Sequence, residues 1–420
     1  MTNCTFTANS AALVGGALYN YSGGSTLIIS KCTFTTNIAG TSSGGAISSM
    51  ARTLIYNSTF ASNSCGDNGG SLYLGYTSSS ETNIIDGSVF LKNTSADNGG
   101  AIYNGSSRSF EGSNCGFTNN STASAHGGAI EFAKEVGNIL ITDCSFNTNT
   151  ASSSGGALYF ADPTVPSPIY IANGVFLDNI AANGSGGAVY DRERPMLVND
   201  STFTGNFADD NGGAAYLYNV IEAGSTNKFI NCAFANNRAD YEGGAIYFKL
   251  QNSSVNYSVL NCSFFTNTTY RKGGGIRIEA GVIGVTNCIF WNGDSEVGWT
   301  DSDAIYVDNG ETLNIAYSSV NTNEIDNNSG TVNYGSGVIY TNPLFVSELT
   351  YDLHLKSQHG HWTGSEWSND AEHSPCIDSG DPSSDFSNEP TSGARINMGA
   401  YGNTAYASKS ATSGTLFLCF

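Results

Sequence analysis

Charge is scarce in this 420-residue chain, and basic charge most of all. Only 12% of residues are charged, with 16 Lys and Arg against 36 Asp and Glu. The net charge of −20 repels phosphate backbones and anionic lipid, so nucleic acid is not an expected partner. No run reaches the ~18 consecutive apolar residues of a spanning helix, so no membrane span is expected. The N-terminus lacks the basic start and apolar core of a secretory signal. It opens inside a repeat, at Asn3-Cys4-Thr5-Phe6, so a fragment without its true N-terminus is expected. Pro (8) and Met (4) are few, while Gly reaches 50, a balance that favours a turn-rich β protein.

What is present repeats. Phe-x-x-Asn occurs at Phe6, Phe34, Phe60, Phe90, Phe117, Phe146, Phe176, Phe203, Phe234 and Phe264, about thirty residues apart, and Phe290 begins an imperfect eleventh copy. A Gly-Gly pair follows each of the ten, and Asp303-Ala304 stands where the next pair would be. From Asn to the Gly pair is always six or seven residues, whereas from the first Gly to the next Phe it is sixteen to twenty-two. One side of each coil is fixed and the other carries loops of changing length. A period of this size marks a solenoid.

Three short runs in each coil alternate apolar and polar residues, with no sustained helical spacing. One follows the Gly pair (Leu18, Ile47, Ile246), one precedes the Phe by five residues (Ile29, Ile55, Val259), and one contains the Phe itself. Stacked in register they predict an all-β, right-handed parallel β-helix of about 11 to 13 coils. Ten steps of ~4.8 Å give a rod roughly 50 Å long. Each coil buries too little to stand alone, so neighbours and caps must stabilise it.

Columns follow from the stacking. Asn or Asp stands three residues before most of the Phe positions (Asn3, Asn57, Asn114, Asp143, Asn173, Asp200, Asn231, Asn261, Asn287), a residue type suited to a left-handed corner. The motif Asn, from Asn9 to Asn267, predicts a second column. Cys4, Cys32, Cys115, Cys144, Cys232, Cys262 and Cys288 share one repeat position with Ser and Gly, which predicts a small inward site holding free thiols.

The paired Phe-x-x-Asn and Gly-Gly-Ala-Ile motifs, over residues 1–310, resemble the repeats of the polymorphic outer-membrane protein family and of bacterial right-handed parallel β-helix proteins. The resemblance implies a secreted or cell-surface protein, often an adhesin. Residues 311–340 read as degenerate coils that complete a repeat domain over 1–340. Residues 341–403, with "NPLF", "YDLHLKS", "SPCIDSGDP" and "MGAYGN", resemble the C-terminal module of choice-of-anchor Q domain surface proteins, which implies a cap. Residues 404–420 read as a frayed or truncated tail with no anchor. A monomeric rod, or one module of a longer chain, is the expected form.

Candidate chemistry is sparse. Asp67 and Asp97 lie before Asn-Gly-Gly on successive coils, where carboxylates and carbonyls would suit a structural Ca²⁺; otherwise they are turn residues, and no cofactor is expected. His354, His359, His361 and His373 match no metal motif and read as a solvated loop. Asp191-Arg192-Glu193-Arg194 is a dense charged stretch, as are Lys249, Arg271, Lys272, Arg277 and Glu279.

Two functional readings follow. One is a non-catalytic scaffold that binds a glycan or surface partner. The alternative is a lyase or hydrolase of an acidic polysaccharide, with Arg277, expected outward beside Lys249, as base and Glu279 as a further candidate. Tyr stands three residues after most first-Gly positions' partners, at Tyr159, Tyr190, Tyr216 and Tyr247 among others, with Ser48, Glu131 and Arg277 in its place elsewhere. Alternation sends it away from the core, so an exposed stripe of rings walled by the variable loops is expected, which would either stiffen the sheet or stack on sugars.

Overall fold

The computed structural model describes residues 1–75, 81–133, 136–161, 163, 167–219, 226–250, 256–279, 281–291, 303–393 and 395–411. Among these the chain winds into a parallel β-helix with four ladders: a Phe ladder of eleven strands from Thr5–Thr7 to Ile289–Trp291, a short ladder of ten from Ser10–Ala11 to Thr268–Thr269, and two of twelve. The Gly ladder runs from Leu18–Asn20 to Ile325–Asp326 and the Ile ladder from Thr26–Ser30 to Thr331–Tyr334. The sequence predicts three strands per coil. The fourth is two residues long, too short for alternation to reveal.

Three left-handed corners turn each typical coil. The predicted Asn/Asp corner is one: Asn57, Asp143 and Asn231 have φ of 49°, 54° and 54°. The first Gly of each pair is another, as at Gly44 (φ 75°), while a Cβ on Gly45 would meet the carbonyl oxygen of Gly70 at 2.0 Å. The third, two residues after the Phe, is occupied by Thr36, Ser62, Lys92 and Thr148 at φ near 52°, residues for which this backbone costs ~1 to 2 kcal/mol.

Two interior columns offset that cost. Eleven Phe rings from Phe6 to Phe290 stack with centroids 4.5–5.0 Å apart and planes within 10°. Beside them the motif asparagines form a ladder from Asn9 to Asn267. Each Nδ2 donates to the Oδ1 of the Asn one coil on, at 2.8–3.0 Å. From Asn37 onward it also donates to the carbonyl of the Phe one coil back, as Asn120 does to Phe90 at 3.0 Å. Each Oδ1 in turn accepts a backbone N–H, so an inner Asn meets its full amide capacity.

The cysteines lie where expected: Cys32, Cys115, Cys144, Cys232, Cys262 and Cys288 are buried free thiols, and Cys4 is half-buried. Cys65 and Cys376 are also buried, and burial pushes their thiols up to about 11 and about 12.

The C-terminal segment lies along the flank of the rod, where an end cap had been expected. Phe345–Ser347 pairs antiparallel with Asp352–Leu355, and Phe345, Leu353, Leu355, Met398 and Ala400 form one core with Ala233, Ala235, Phe265 and Ile289 on the outer side of the Phe ladder. Backbone N–H groups of Ala400 and Asp381 donate to Ser263 Oγ (3.0 Å) and Asn287 Oδ1 (2.7 Å). Two of its four histidines are structural, while His359 is exposed and His373 half-buried. His354 pairs with Asp352 at 2.6 Å and stacks on Tyr401, and His361 pairs with Asp370 at 2.7 Å; both are buried, in contrast to the expected solvated loop. The part of the tail beyond Ser410 and Ala411 falls outside the described residues.

Candidate binding face

The outer side of the Gly ladder carries the predicted Tyr stripe in one file. Register places Ser48, Tyr73, Tyr103, Glu131, Tyr159, Tyr190, Tyr216, Tyr247, Arg277, Tyr306 and Asp326 on successive strands. The rings stack as expected: Tyr159, Tyr190, Tyr216 and Tyr247 follow at 4.9, 5.0 and 5.2 Å. Their exposure is not as expected. Tyr159 and Tyr216 are 8% exposed and Tyr247 3%, because parallel rings a strand spacing apart cover one another's faces. Among the described tyrosines of the file only Tyr19, near its start, is widely exposed. Several of the loops expected to wall the stripe, such as 220–225 and 251–255, lie outside the described residues.

Glu and Arg in this file therefore enter a buried column. Glu131 lies between Tyr103 and Tyr159, and the ring of His126 stacks on Tyr159 at 4.1 Å. The Ser154 N–H donates to His126 Nδ1 at 3.3 Å, which makes that nitrogen the acceptor. Burial, reinforced by the charge of Asp97, pushes the Glu131 carboxyl well above its ordinary range, and its Oε2 meets no hydrogen-bond partner among the described residues. Sequence reasoning passed over this pair, yet it leaves a signal: Glu interrupts a Tyr column, and His stands before the Gly pair where neighbouring coils have Asn or Ser.

Arg277 was expected to face solvent and is 4% exposed. Its Nε donates to Glu242 and its Nη2 to Asp308, each at 2.9 Å, Nη1 donates to the Ile278 carbonyl, and the guanidinium lies 4.5 Å from the Tyr306 ring centre. Both edges are occupied by carboxylates, which leaves no face to take a proton from a substrate. Burial raises Asp308, but the hydrogen bond and charge of Arg277 prevail and hold it below its ordinary value. Lys249 ion-pairs with Glu279 at 3.6 Å, and Glu279 also accepts from the Tyr247 hydroxyl. Burial and the nearby charges of Glu242, Asp308 and Glu311 push Glu279 upward. The three residues nominated for catalysis are thus brought into one neighbourhood and engaged by one another and by carboxylates.

Other charged candidates resolve as internal fastenings. Asp191 and Arg194 are fully buried; Asp191 faces inward between Phe160 and Leu217, and burial pushes its carboxyl well up. Arg194 reaches back two coils to the carbonyls of Val136 (3.0 Å) and Ala133 (3.3 Å), and Arg108 reaches back two coils to that of Met50 and three to that of Gly23. Asp67 accepts from Ser43 Oγ at 2.8 Å and from Asn68, and Asp97 from Ser124 and Asn98. Among the described residues no group of three or more His, Cys, Asp or Glu is arranged to hold a metal ion.

The fold defines a β-solenoid built from polymorphic membrane protein-like repeats. The family model described as Chlamydia polymorphic membrane protein (Chlamydia_PMP) repeat matches residues 87–105, 143–161 and 200–218, three segments that each run from the Asn/Asp corner region into the Gly ladder. A second model, described as Disaggregatase related, matches residues 226–380, across the last coils and into the flanking segment. A relative described as probable autotransporter YfaL of Escherichia coli (strain K12) is 29% identical over 178 residues, or 39% of this chain. The match spans 14% of that relative's length. No solved structure matches.

Proposed function

We propose that this chain is the rod of a secreted or cell-surface protein that adheres to a glycan or another surface partner without chemically altering it. The observation that carries the reading is the repeat itself: coils like those of a polymorphic membrane protein, stacked into a long solenoid, with further likeness to a probable autotransporter. A solenoid of this kind offers an extended lateral surface whose loops vary while its ladders stay fixed. The lyase or hydrolase alternative draws no support from Arg277, Lys249 and Glu279, which are committed to one another and to neighbouring carboxylates.

The test is protease shaving of intact cells that produce the full-length protein, followed by detection with antibodies against the rod. Loss of the signal from unlysed cells, or its appearance in the medium, is expected. A signal protected until lysis would refute a surface location. Binding of the labelled purified chain to cell surfaces and to a glycan array then tests adhesion.

A further inference from the structure

The corner column on the flank of the rod carries an interruption, the exposed Asp200, at the edge of the flanking segment. Where Asn follows Asn, each amide donates to the oxygen one coil back: Asn261 to Asn231 and Asn287 to Asn261, both at 3.0 Å. Asn173 donates in the same way to Asp143 at 2.9 Å. At Asp200 the pattern stops, because a carboxylate has no N–H to give Asn173. Asp143 is a similar interruption on the uncovered part of the flank. Asp200 differs in lying where the C-terminal segment meets the rod, and burial pushes its carboxyl upward against a hydrogen bond from Asn231. Asn231 in turn donates to the Gly402 carbonyl of that segment at 3.2 Å.

Between the two lies a cleft of about 200 Å³. Asn173, Asp200 and Asn231 line it from the rod, and Tyr401, Thr404 and Tyr406 from the segment. Tyr406 is 52% exposed, and its ring is held beside Trp362 at 5.6 Å, itself 5.5 Å from Trp367. One wall is therefore amide and carboxylate, and the other aromatic. The volume is below the ~300 to 1,000 Å³ of sites that engulf a drug-sized ligand, which suits a single ring.

A pyranose matches both walls, since its C–H face packs on an aromatic ring and its hydroxyls donate to carboxylates and exchange hydrogen bonds with amides. Charge selects among sugars. Asp200 and a net charge of −20 oppose a uronate or a phosphosugar. An ammonium group would satisfy Asp200 but only donates, leaving the Asn173 amide N–H that does not bond Asp143 without an acceptor.

We propose that this cleft is a saccharide subsite for one neutral pyranose ring, with Tyr406 packing on its C–H face and Asp200 and Asn173 bonding its hydroxyls. The proposal deepens the glycan-binding reading above and rests on it. Its test is titration of the whole chain with the methyl glycosides of glucose, galactose, mannose and N-acetylglucosamine at millimolar concentrations, followed by saturation-transfer NMR. At least one should bind, glucuronic acid should bind at least tenfold more weakly than that glycoside, and Tyr406→Ala and Asp200→Asn should each weaken binding tenfold or more.

Asp200→Asn supplies the missing donor toward Asn173, so its melting temperature should hold or rise while binding falls. A merely structural Asp200 would leave binding unchanged. Asp143→Asn serves as the control and should bind like the parent. Failure of all four glycosides to bind, or binding that survives both substitutions, overturns the subsite. If the parent chain adheres to cells while no glycoside binds, the subsite is wrong and the adhesive reading stands; if it neither adheres nor binds, both fall.

Discussion

The Asn ladder and the Tyr file run along the same rod, yet one accepts a single residue type from Asn9 to Asn267 and the other accepts Tyr, Ser, Glu and Arg. Both are stacked at the strand spacing and both are largely buried. The difference lies in what each position must supply. An inner Asn gives two hydrogen bonds and accepts two at fixed places, and no other side chain has that inventory at that size. A Tyr in the file gives mainly ring area, which a paired guanidinium or a carboxyl side chain can replace. Variability along a column therefore does not show that the column faces water; it shows that the column's task is less specific.

The largest expected break of this comparison is on the Tyr side. Arg277→Met should leave Glu242 and Asp308 close together without their shared cation, and cost about 3 kcal/mol in urea unfolding, within the range for a broken buried pair and lowered for the partial exposure of Asp308. A loss under ~0.5 kcal/mol would mean that the clamp is dispensable.

A smaller effect is expected at Glu131. Its folded value is raised, so the protonated acid's contribution is fully present below its ordinary value near 4.5 and is lost as pH rises. Glu131→Gln should leave stability at pH 4.5 close to the parent's and exceed it at pH 8, compared by thermal melts. Equal gains at both pH values would show that the carboxyl ionises freely in the fold.

The least perturbing probe is native alkylation. Among the described thiols Cys4, half-buried at the start of the column, should label first, and the six buried column cysteines only upon unfolding. Fast labelling of Cys232, Cys262 or Cys288 in the folded chain would contradict the inward column.

The ladders, the inward Phe, Ile and Cys positions and the left-handed Asn corner were legible because a period makes each position appear ten times over. Features that occur once were not. The flanking segment was hidden because apolar residues beside the ladder Phe do not mark it: Phe265 and Ile289 pack against Phe345 and Met398, yet Val89, Val175 and Leu177 at the same positions are exposed. The burial of Arg277 was hidden because its partners lie 35 residues back and 31 ahead, on other coils. Arg108 and Arg194 were hidden for the same reason, since each closes on carbonyls with no side-chain signature.

The most direct measurement sets the two columns against each other within one coil, using substitutions that barely change size. Asn179→Asp replaces an amide donor, bonded to Asn206 Oδ1 at 2.9 Å and the Phe146 carbonyl at 2.8 Å, with an acceptor facing two acceptors. Tyr190→Phe keeps the stacked ring. In denaturant unfolding at pH 7 the Asp variant should lose about 3 kcal/mol or more and the Phe variant less than about 1 kcal/mol. The Asp loss should shrink toward pH 4, because burial raises the new carboxyl and the protonated acid can donate again. Similar losses for the two variants, or an Asp loss that does not change with pH, would contradict the claim that the Asn ladder is the specific fastening of this rod.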